Sequence, residues 1–190
     1  IVMTFCQLDE IDYVRITVAG KALQVDNKDI GNMSKESFID LIGKDSDYMI
    51  DESVTLYFAD SSGKKIRKLN TKIVSDVTVK LEELVVKRLI QGPKGSDKLG
   101  YYPTIDENTR INRIAVNNNI CYIDFDENFL SRPVGISEDV VIYSVVNSLT
   151  ELKTVNQVKI TVNGEVREVY NDYAKMDGCI ERSYDIVNEG

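Results

Sequence analysis

The sequence contains no histidine, and this absence excludes several common kinds of enzyme site. Ser-His-Asp and Cys-His nucleophile systems need an imidazole to take the proton from the nucleophile. Zinc and iron sites also use histidine as a usual ligand. Most hydrolase mechanisms are therefore not expected in this chain.

Cysteine is scarce and widely spaced. Cys6, Cys121 and Cys179 are odd in number and far apart, so they form neither a zinc-binding spacing nor a disulfide framework. We expect Cys6 and Cys121 to be small core residues and Cys179 to lie near a surface end of the chain.

Basic residues are fewer than acidic ones, 23 against 31, which gives a net charge of −8. Nucleic-acid affinity depends largely on Lys and Arg that displace counterions, so no nucleic acid is expected as a partner. No apolar run approaches the length that crosses a bilayer, and no signal-like segment stands at the start. The 43% hydrophobic and 28% charged residues are ordinary for a globular protein.

The main feature that is present is an internal repeat. Residues 142–164, IYSVVNSLTELKTVNQVKITVNG, match residues 1–20, IVMTFCQLDEIDYVRITVAG. The offset is 141 residues between Leu8 and Leu149 and 144 between Val14 and Val158, so the later copy contains a three-residue insertion between these two positions. Each copy predicts an apolar helix, a polar turn and a short strand ended by glycine. A repeat of this length indicates a duplicated domain.

The repeat predicts a tandem arrangement of two modules with a boundary near residues 46–51. Residues 1–50 are the C-terminal part of the first module plus a tail, and residues 51–190 are a complete second module with a C-terminal extension. We expect the preceding strands of the first module to lie upstream of Ile1. The elements predicted in the first module are a helix at 2–10, a strand at 13–19 and a short helix at 34–42.

The second module is predicted to run strand, strand, helix, strand, strand, helix, strand. It begins with strands at 54–60 and 64–74 and a helix stopped by Gly92-Pro93. Strands at 110–116 and 120–125 follow, joined by three asparagines, and then a helix N-capped by Ser137, in which Glu138 and Asp139 are favourably placed by the helix dipole. The last elements are a strand at 157–162, a turn at Asn163-Gly164 and a return strand at 166–170. This order predicts an α+β fold with two helices packed on one face of a small sheet in each module.

The acidic residues give only weak signals for chemistry. Residues 124–128 begin like a calcium loop, but Phe129 stands where glycine is required and Gly135 where a bidentate glutamate is required. A charged turn after a strand is the preferred interpretation. The carboxylates Asp124, Glu127, Glu138 and Glu151 could be combined into an acid-base pair, but nothing in the sequence fixes their separation.

The loop after the first helix of the second module carries the candidate interaction surface, Tyr101, Tyr102 and Pro103. Adjacent tyrosines suit either a protein contact or a platform on which sugar rings stack. Packing of one tyrosine onto its own module is the simpler alternative. Strand edges offer a further way to recruit partners.

The second module resembles the GerMN domain family of sporulation and spore germination lipoproteins over residues 54–164. The resemblance is carried, in order, by VTLYFAD (54–60), LIQGP (89–93), Pro103 and Thr109, YIDF (122–125), SLTEL (148–152) and VKITVNG (158–164). The family includes tandem pairs of this domain, which agrees with the internal repeat. The LGYYP loop and the tail after Gly164 depart from the family pattern.

This resemblance implies an extracytoplasmic protein of endospore-forming bacteria, held at the cell membrane by a lipid on an upstream cysteine. Its fold is expected to be similar to the ring-building motif of secretion systems. Its role would be structural, helping a transenvelope complex assemble through contacts with membrane-anchored, ring-forming sporulation proteins. The family implies no catalytic residues, and no metal or cofactor is expected. The alternative is an envelope module that binds peptidoglycan or another glycan, with Tyr101 and Tyr102 as the stacking surface.

Overall fold

The computed structural model describes residues 13–25, 28–29, 31–33, 49–76, 79–95 and 100–188. The chain divides into two compact units, Ile1–Met49 and Ile50–Gly190. The helices predicted at 2–10 and 34–42 lie outside the described residues, as does Cys6. The assignment of residues 1–50 to an incomplete first module stays a prediction.

The described part of the first unit consists of short antiparallel pairs. These are β1 (Thr17–Val18) with β2 (Lys21–Ala22), and β3 (Gln24–Val25) with β4 (Lys28–Asp29). The strand predicted at 13–19 is reduced to β1, which ends at Val18 because Ala19 and Gly20 adopt positive φ angles of 50° and 78° and turn the chain back. Before this turn, Val14 exchanges two backbone hydrogen bonds with the buried Met33, of 2.8 and 2.9 Å.

The second unit opens with a hairpin of β5 (Met49–Ala59) and β6 (Ile66–Asp76). β5 is longer than the strand predicted at 54–60, whereas β6 has the length of the strand predicted at 64–74 and is shifted by two residues. In its turn, the Asp60 carboxylate accepts hydrogen bonds from the Ser62 backbone N–H and hydroxyl, at 3.0 and 2.6 Å. Gly63 has a φ of 66°, and a Cβ there would stand 2.0 Å from the carbonyl oxygen of Gly135. Glycine is therefore required where this turn touches the loop before the second helix.

The first helix of the second unit, α1, spans Leu81–Ile90. It buries Val85, Val86 and Leu89. As predicted, it stops at Gly92, which has a φ of 70° and donates its backbone N–H to the carbonyl of Leu89.

A four-stranded sheet forms the second half of this unit, in the order β10-β9-β8-β7. Its strands are β7 (Ile111–Asn117), β8 (Ile120–Phe125), β9 (Gln157–Val162) and β10 (Ile180–Glu181). The β8–β9 pair is parallel and the other two pairs are antiparallel. Asn118 and Asn119, with φ of 49° and 60°, make the predicted tight turn between β7 and β8. One face of β8 and β9 is buried, through Cys121, Ile123, Phe125, Val158, Ile160 and Val162.

The second helix, α2 (Glu138–Leu149), crosses between the parallel strands β8 and β9, and ten of its twelve residues are buried. It packs against α1 and against strands of both sheets, β6 and β9. The prediction of an α+β fold with small sheets and two helices is confirmed. The finer expectation of a single sheet is corrected, because the hairpin β5–β6 is a separate two-stranded sheet.

The polar side chains of α2 are satisfied by segments distant in sequence. The Ser148 hydroxyl accepts the Tyr57 backbone N–H of β5 at 2.9 Å, and Glu151, just beyond the helix, accepts the Tyr57 hydroxyl at 2.7 Å. The Asn147 amide donates to the Ser183 carbonyl at 2.7 Å and accepts the Ser183 N–H at 3.1 Å. These bonds fix β5 and the C-terminal segment against one helix.

The expected role of Glu138 differs from the observed one. Ser137 occupies the N-cap position, but its side chain makes no capping bond. The Glu138 carboxylate is fully buried and accepts backbone N–H groups of Asp172, Tyr173 and Ala174, each at 3.0 Å. Glu138 therefore serves chiefly as an anchor for a distant loop, with Arg132 at 3.5 Å as a second contact.

The return strand predicted at 166–170 is wrong. The tight turn at Asn163-Gly164 forms, and Val162 and Glu165 exchange backbone bonds of 3.0 Å, but the chain then leaves the sheet. Tyr170 enters the core, where its hydroxyl donates to the Phe129 carbonyl and its ring meets the Phe129 ring edge-on at 5.4 Å. The place beside β9 is taken instead by β10.

Beyond β10, the C-terminal extension runs back to the hairpin. The Ile66 N–H donates to the Ile186 carbonyl at 2.9 Å, and the Asn188 N–H donates to the Ile66 carbonyl at 2.7 Å. Within the described ranges, no helix has the length and apolar character needed to cross a lipid bilayer.

The charge of Glu138 should contribute to stability in a pH-dependent way. Burial raises its pKa, but the backbone donors of Tyr173, Ala174 and Asp172, with Arg132, outweigh burial and leave the pKa below its ordinary value. Its stabilising contribution is therefore complete above the unfolded-state pKa of about 4.3, and is lost as pH falls through the lower folded-state pKa.

We expect Glu138→Gln to lower the free energy of unfolding by about 2 kcal/mol at pH 7, because a hydrogen-bonded buried charge is removed. The difference in the free energy of unfolding between this variant and the wild type should become smaller below about pH 4. Urea denaturation at both pH values measures it, with the exposed Glu127→Gln as a matched control. Equal stability of the Glu138 variant and the wild type at pH 7 would contradict the anchoring role.

Candidate functional site

The face of the four-stranded sheet that points away from α2 carries a shallow groove of about 410 Å³. Its lining includes the half-exposed ring of Tyr122 together with Lys159, Arg113 and Thr161. Along β8 and β9, Tyr122, Lys159 and Thr161 alternate with the buried core residues, as period-two strands require. Tyr122 follows the buried Cys121 in β8, so the alternation of the strand places its ring on this outer face.

Asp124 lies in this groove and is held by hydrogen bonds. One carboxylate oxygen accepts the Thr161 hydroxyl at 2.6 Å and the Gly164 N–H at 2.7 Å, and the other accepts the Asn112 amide at 3.0 Å. Burial raises the pKa of Asp124, but these donors outweigh burial and lower it overall. A carboxylate with a lowered pKa is a poor proton donor at neutral pH, so Asp124 joins strands and does not suit acid catalysis.

The structure keeps the candidate carboxylates Glu138 and Glu151 apart. Glu138 and Glu151 lie at opposite ends of α2, about 20 Å apart at the helical rise, and Asp124 lies on the outer face of the sheet. Asp126, the third residue of the calcium-like segment, accepts the Arg110 N–H at 2.9 Å. Across the part of the chain that is described, no three Cys, Asp or Glu side chains are grouped as a metal site.

The cysteine of the second unit's core shows no nucleophilic character. Cys121 is fully buried, as the sequence predicts, and burial with the nearby charge of Glu82 raises its pKa to about 12. Its thiol is therefore protonated at neutral pH. Cys179 is exposed.

The predicted interaction surface divides into two different environments. Tyr101 is half-buried, its hydroxyl donates to the Lys68 carbonyl at 3.0 Å, and the Arg67 guanidinium lies over its ring at 4.9 Å. Tyr102 and Pro103 are exposed, and the Tyr102 backbone pairs with Ala59 of β5 through bonds of 2.9 and 3.1 Å. One tyrosine thus packs onto its own module, and the other presents its ring to solvent.

The two edges of the sheet differ. At one edge, β10 covers the start of β9 and is only two residues long. At the other edge, β7 pairs with β8 alone among the described strands. A bulge between Ile111 and Arg113 and the charge of Arg113 protect the beginning of β7, but residues 114–117 carry no charge, proline or bulge.

Several sequence motifs contact one another in the structure. Tyr57 of VTLYFAD is bound by Ser148 and Glu151 of SLTEL. Asp124 of YIDF is bound by Thr161 and Gly164 of VKITVNG. These contacts between motifs stabilise the fold of the second unit.

The family described as "Germane: Sporulation and spore germination" matches residues 55–168, which is more than half of the chain. The chain belongs to the Germane (GerMN) family. No curated protein sequence matches it significantly. The assignment agrees with the resemblance seen in the sequence, and it covers the hairpin, both helices and the sheet through the turn after β9.

Two solved structures show the same fold. The chain is similar to the tandem GerMN domains of the sporulation protein GerM from Bacillus subtilis, with 18% identity and a TM-score of 0.58 over 98% of this chain and 67% of that chain. It is also similar to the first GerMN domain of the same protein, with 15% identity and a TM-score of 0.50 over 69% of this chain and 98% of that chain. At these identities, the likeness shows the fold.

We expect the two tyrosines of this Germane protein to differ in their effect on stability. Tyr101→Ala should lower the free energy of unfolding by about 2 kcal/mol, because it removes a hydrogen bond, a cation-π contact and packing. Tyr102→Ala should change it by less than about 0.5 kcal/mol, as expected for an exposed ring. Urea denaturation of both variants measures this, and an equal loss in both would contradict the two environments described.

Proposed function

We propose that this protein is a non-enzymatic assembly protein of sporulation and spore germination, which acts outside the cytoplasm and is held at the membrane by an upstream lipid anchor. Its partners are membrane-anchored, ring-forming proteins of the spore-forming cell. Membership of the Germane family supports the biological setting. The ring-assembly role is inferred from that family setting together with the surface of the second unit.

The observation that carries the proposal is that the two edges of the sheet are unequally protected against pairing with other chains. Natural sheets protect their edges with short strands, charges, bulges or covering segments, because an open edge pairs with other chains. This protein protects the β9 side with β10 and the start of β7 with a bulge and Arg113. The remaining stretch, residues 114–117, keeps the features of a strand that accepts a partner strand.

Partner binding by strand addition also fits the character of this stretch. Main-chain hydrogen bonds supply affinity in that mode, and side chains alternate between the two faces of the extended sheet. Ala115 lies opposite Tyr122 on the outer face, whereas Ile114 and Val116 lie opposite the buried Ile123 and Cys121. An added strand would therefore extend the core on one face and the groove on the other.

The absence of histidine, the engaged carboxylates and the protonated Cys121 agree with a non-enzymatic role. Glycan binding at Tyr101 and Tyr102 stays a prediction. Tyr101 is half-buried and its hydroxyl donates to the Lys68 carbonyl, which does not favour this role, since a stacking platform needs accessible ring faces.

Site-specific photo-crosslinking in sporulating cells tests the proposal. A crosslinking residue at Ala115 should give an adduct with a membrane-anchored envelope protein, and the crosslinked peptide should map to a strand of that protein. The same residue at Asn108, in an exposed loop, is the matched control.

Ala115→Lys, which adds an edge charge without removing a buried side chain, should abolish co-purification of that adduct partner, whereas Asn108→Lys should not. A yield of adduct at Ala115 no higher than at Asn108 would contradict the edge-pairing proposal.

A further inference from the structure

A second cleft, of about 560 Å³, lies at the end of the sheet where β8 and β9 begin. Its size falls within the range of small-molecule sites, about 300–1,000 Å³. Side chains of three segments line it: Asn118, Asn119, Ile120, Asn156, Gln157, Glu181, Arg182 and Tyr184. This cleft is separate from the 101–103 loop and from the residues of the β7 edge that the proposed function uses.

The lining is rich in carboxamides and electrically balanced. Four of the eight side chains are amides, which carry hydrogen-bond donors and acceptors without charge. The single carboxylate, on Glu181, accepts the Gln157 amide at 2.9 Å. The single guanidinium, on Arg182, lies 3.1 Å from the Glu151 carboxylate. Both charges of the lining already have partners, so the cleft suits a neutral, polar ligand better than an ion.

Tyr184 adds an aromatic surface to this polar lining. Its side chain is 73% exposed, and the Arg182 guanidinium lies 5.7 Å from the ring centroid. The backbone around it is held on both sides, by the Asn147–Ser183 pair and by the bond from the Ile66 N–H to the Ile186 carbonyl. The ring is therefore presented to solvent from a fixed main chain, which lowers the entropy lost on binding.

The opposite wall is also fixed. The Asn119 carbonyl accepts the backbone N–H groups of Asn156 and Gln157, at 2.7 and 3.3 Å, and the Asn119 amide donates to the Thr154 carbonyl at 3.3 Å. This ties the β7–β8 turn to the start of β9. Among the residues that the structure describes, the side-chain amides of Asn118 and Asn156 have no hydrogen-bond partner, and both residues line the cleft.

We propose that this cleft binds a neutral oligosaccharide. Sugar hydroxyls both donate and accept hydrogen bonds, which matches carboxamides, and the apolar face of a pyranose ring matches an exposed aromatic ring. An N-acetylated sugar adds an amide that can pair with the amides of Asn118 and Asn156. The balanced charge of the lining excludes polyanions such as nucleic acid as its ligand class.

Titration of the isotope-labelled 190-residue chain with chitotetraose, followed by amide NMR shifts, tests the proposal, and cellotetraose serves as the sugar without N-acetyl groups. We expect saturable shifts confined to residues 118–120, 156–157 and 181–184, with tighter binding of chitotetraose.

Tyr184→Ala should weaken binding about tenfold or more. Asn118→Gly should weaken it about two- to tenfold, and glycine keeps the positive φ of the turn, so this variant is expected to fold normally.

Tyr173→Ala is the matched control, because that ring is 54% exposed and does not line the cleft. It should leave binding unchanged. The proposal is overturned if neither sugar gives saturable shifts, if the shifts map to residues 101–103 instead, or if Tyr184→Ala and Asn118→Gly both bind as tightly as Tyr173→Ala.

Discussion

The second unit of this Germane protein depends on the burial of helix α2. A helix exposed on one side can place its polar residues in water, but ten of the twelve residues of α2 are buried, so its polar side chains need partners inside the protein. Those partners come from far along the chain: Glu138 holds the backbone at 172–174, Ser148 holds β5, and Asn147 holds Ser183. The helix thereby determines where the hairpin and the C-terminal extension lie.

The position of the extension in turn determines which surfaces remain available. Because Asn147 and the contacts of Arg182 hold residues 182–183, β10 can cover the edge of β9, and Tyr184 stands at the mouth of the amide-lined cleft. The other sheet edge, β7, has no such cover among the described strands. One buried helix thus links the fold to both proposed functions, strand pairing at β7 and sugar binding beside Tyr184.

Much of the second unit could be predicted from local sequence, because its strands alternate clearly and its turns carry asparagine and glycine where positive φ is needed. The return strand at 166–170 could not, since β-propensity does not reveal that Tyr170 is used in the core beside Phe129. Glu138 resembled an ordinary first-turn acid in the sequence, because the backbone groups that it binds lie more than 30 residues away. The exposure of Tyr184 depends on the docking of Ser183 to Asn147, 36 residues apart, and no local pattern encodes it.

The central claim is that polar residues on α2 hold the C-terminal extension against the sheet. Hydrogen exchange of Asn147→Leu, which keeps the number and branching of the side-chain heavy atoms but removes both bonds to Ser183, tests it most directly. We predict loss of amide protection at 180–188 while the β7–β8 ladder stays protected, because the extension should detach without unfolding the sheet. Unchanged protection at 180–188, or equal loss in β7 and β8, would contradict the claim.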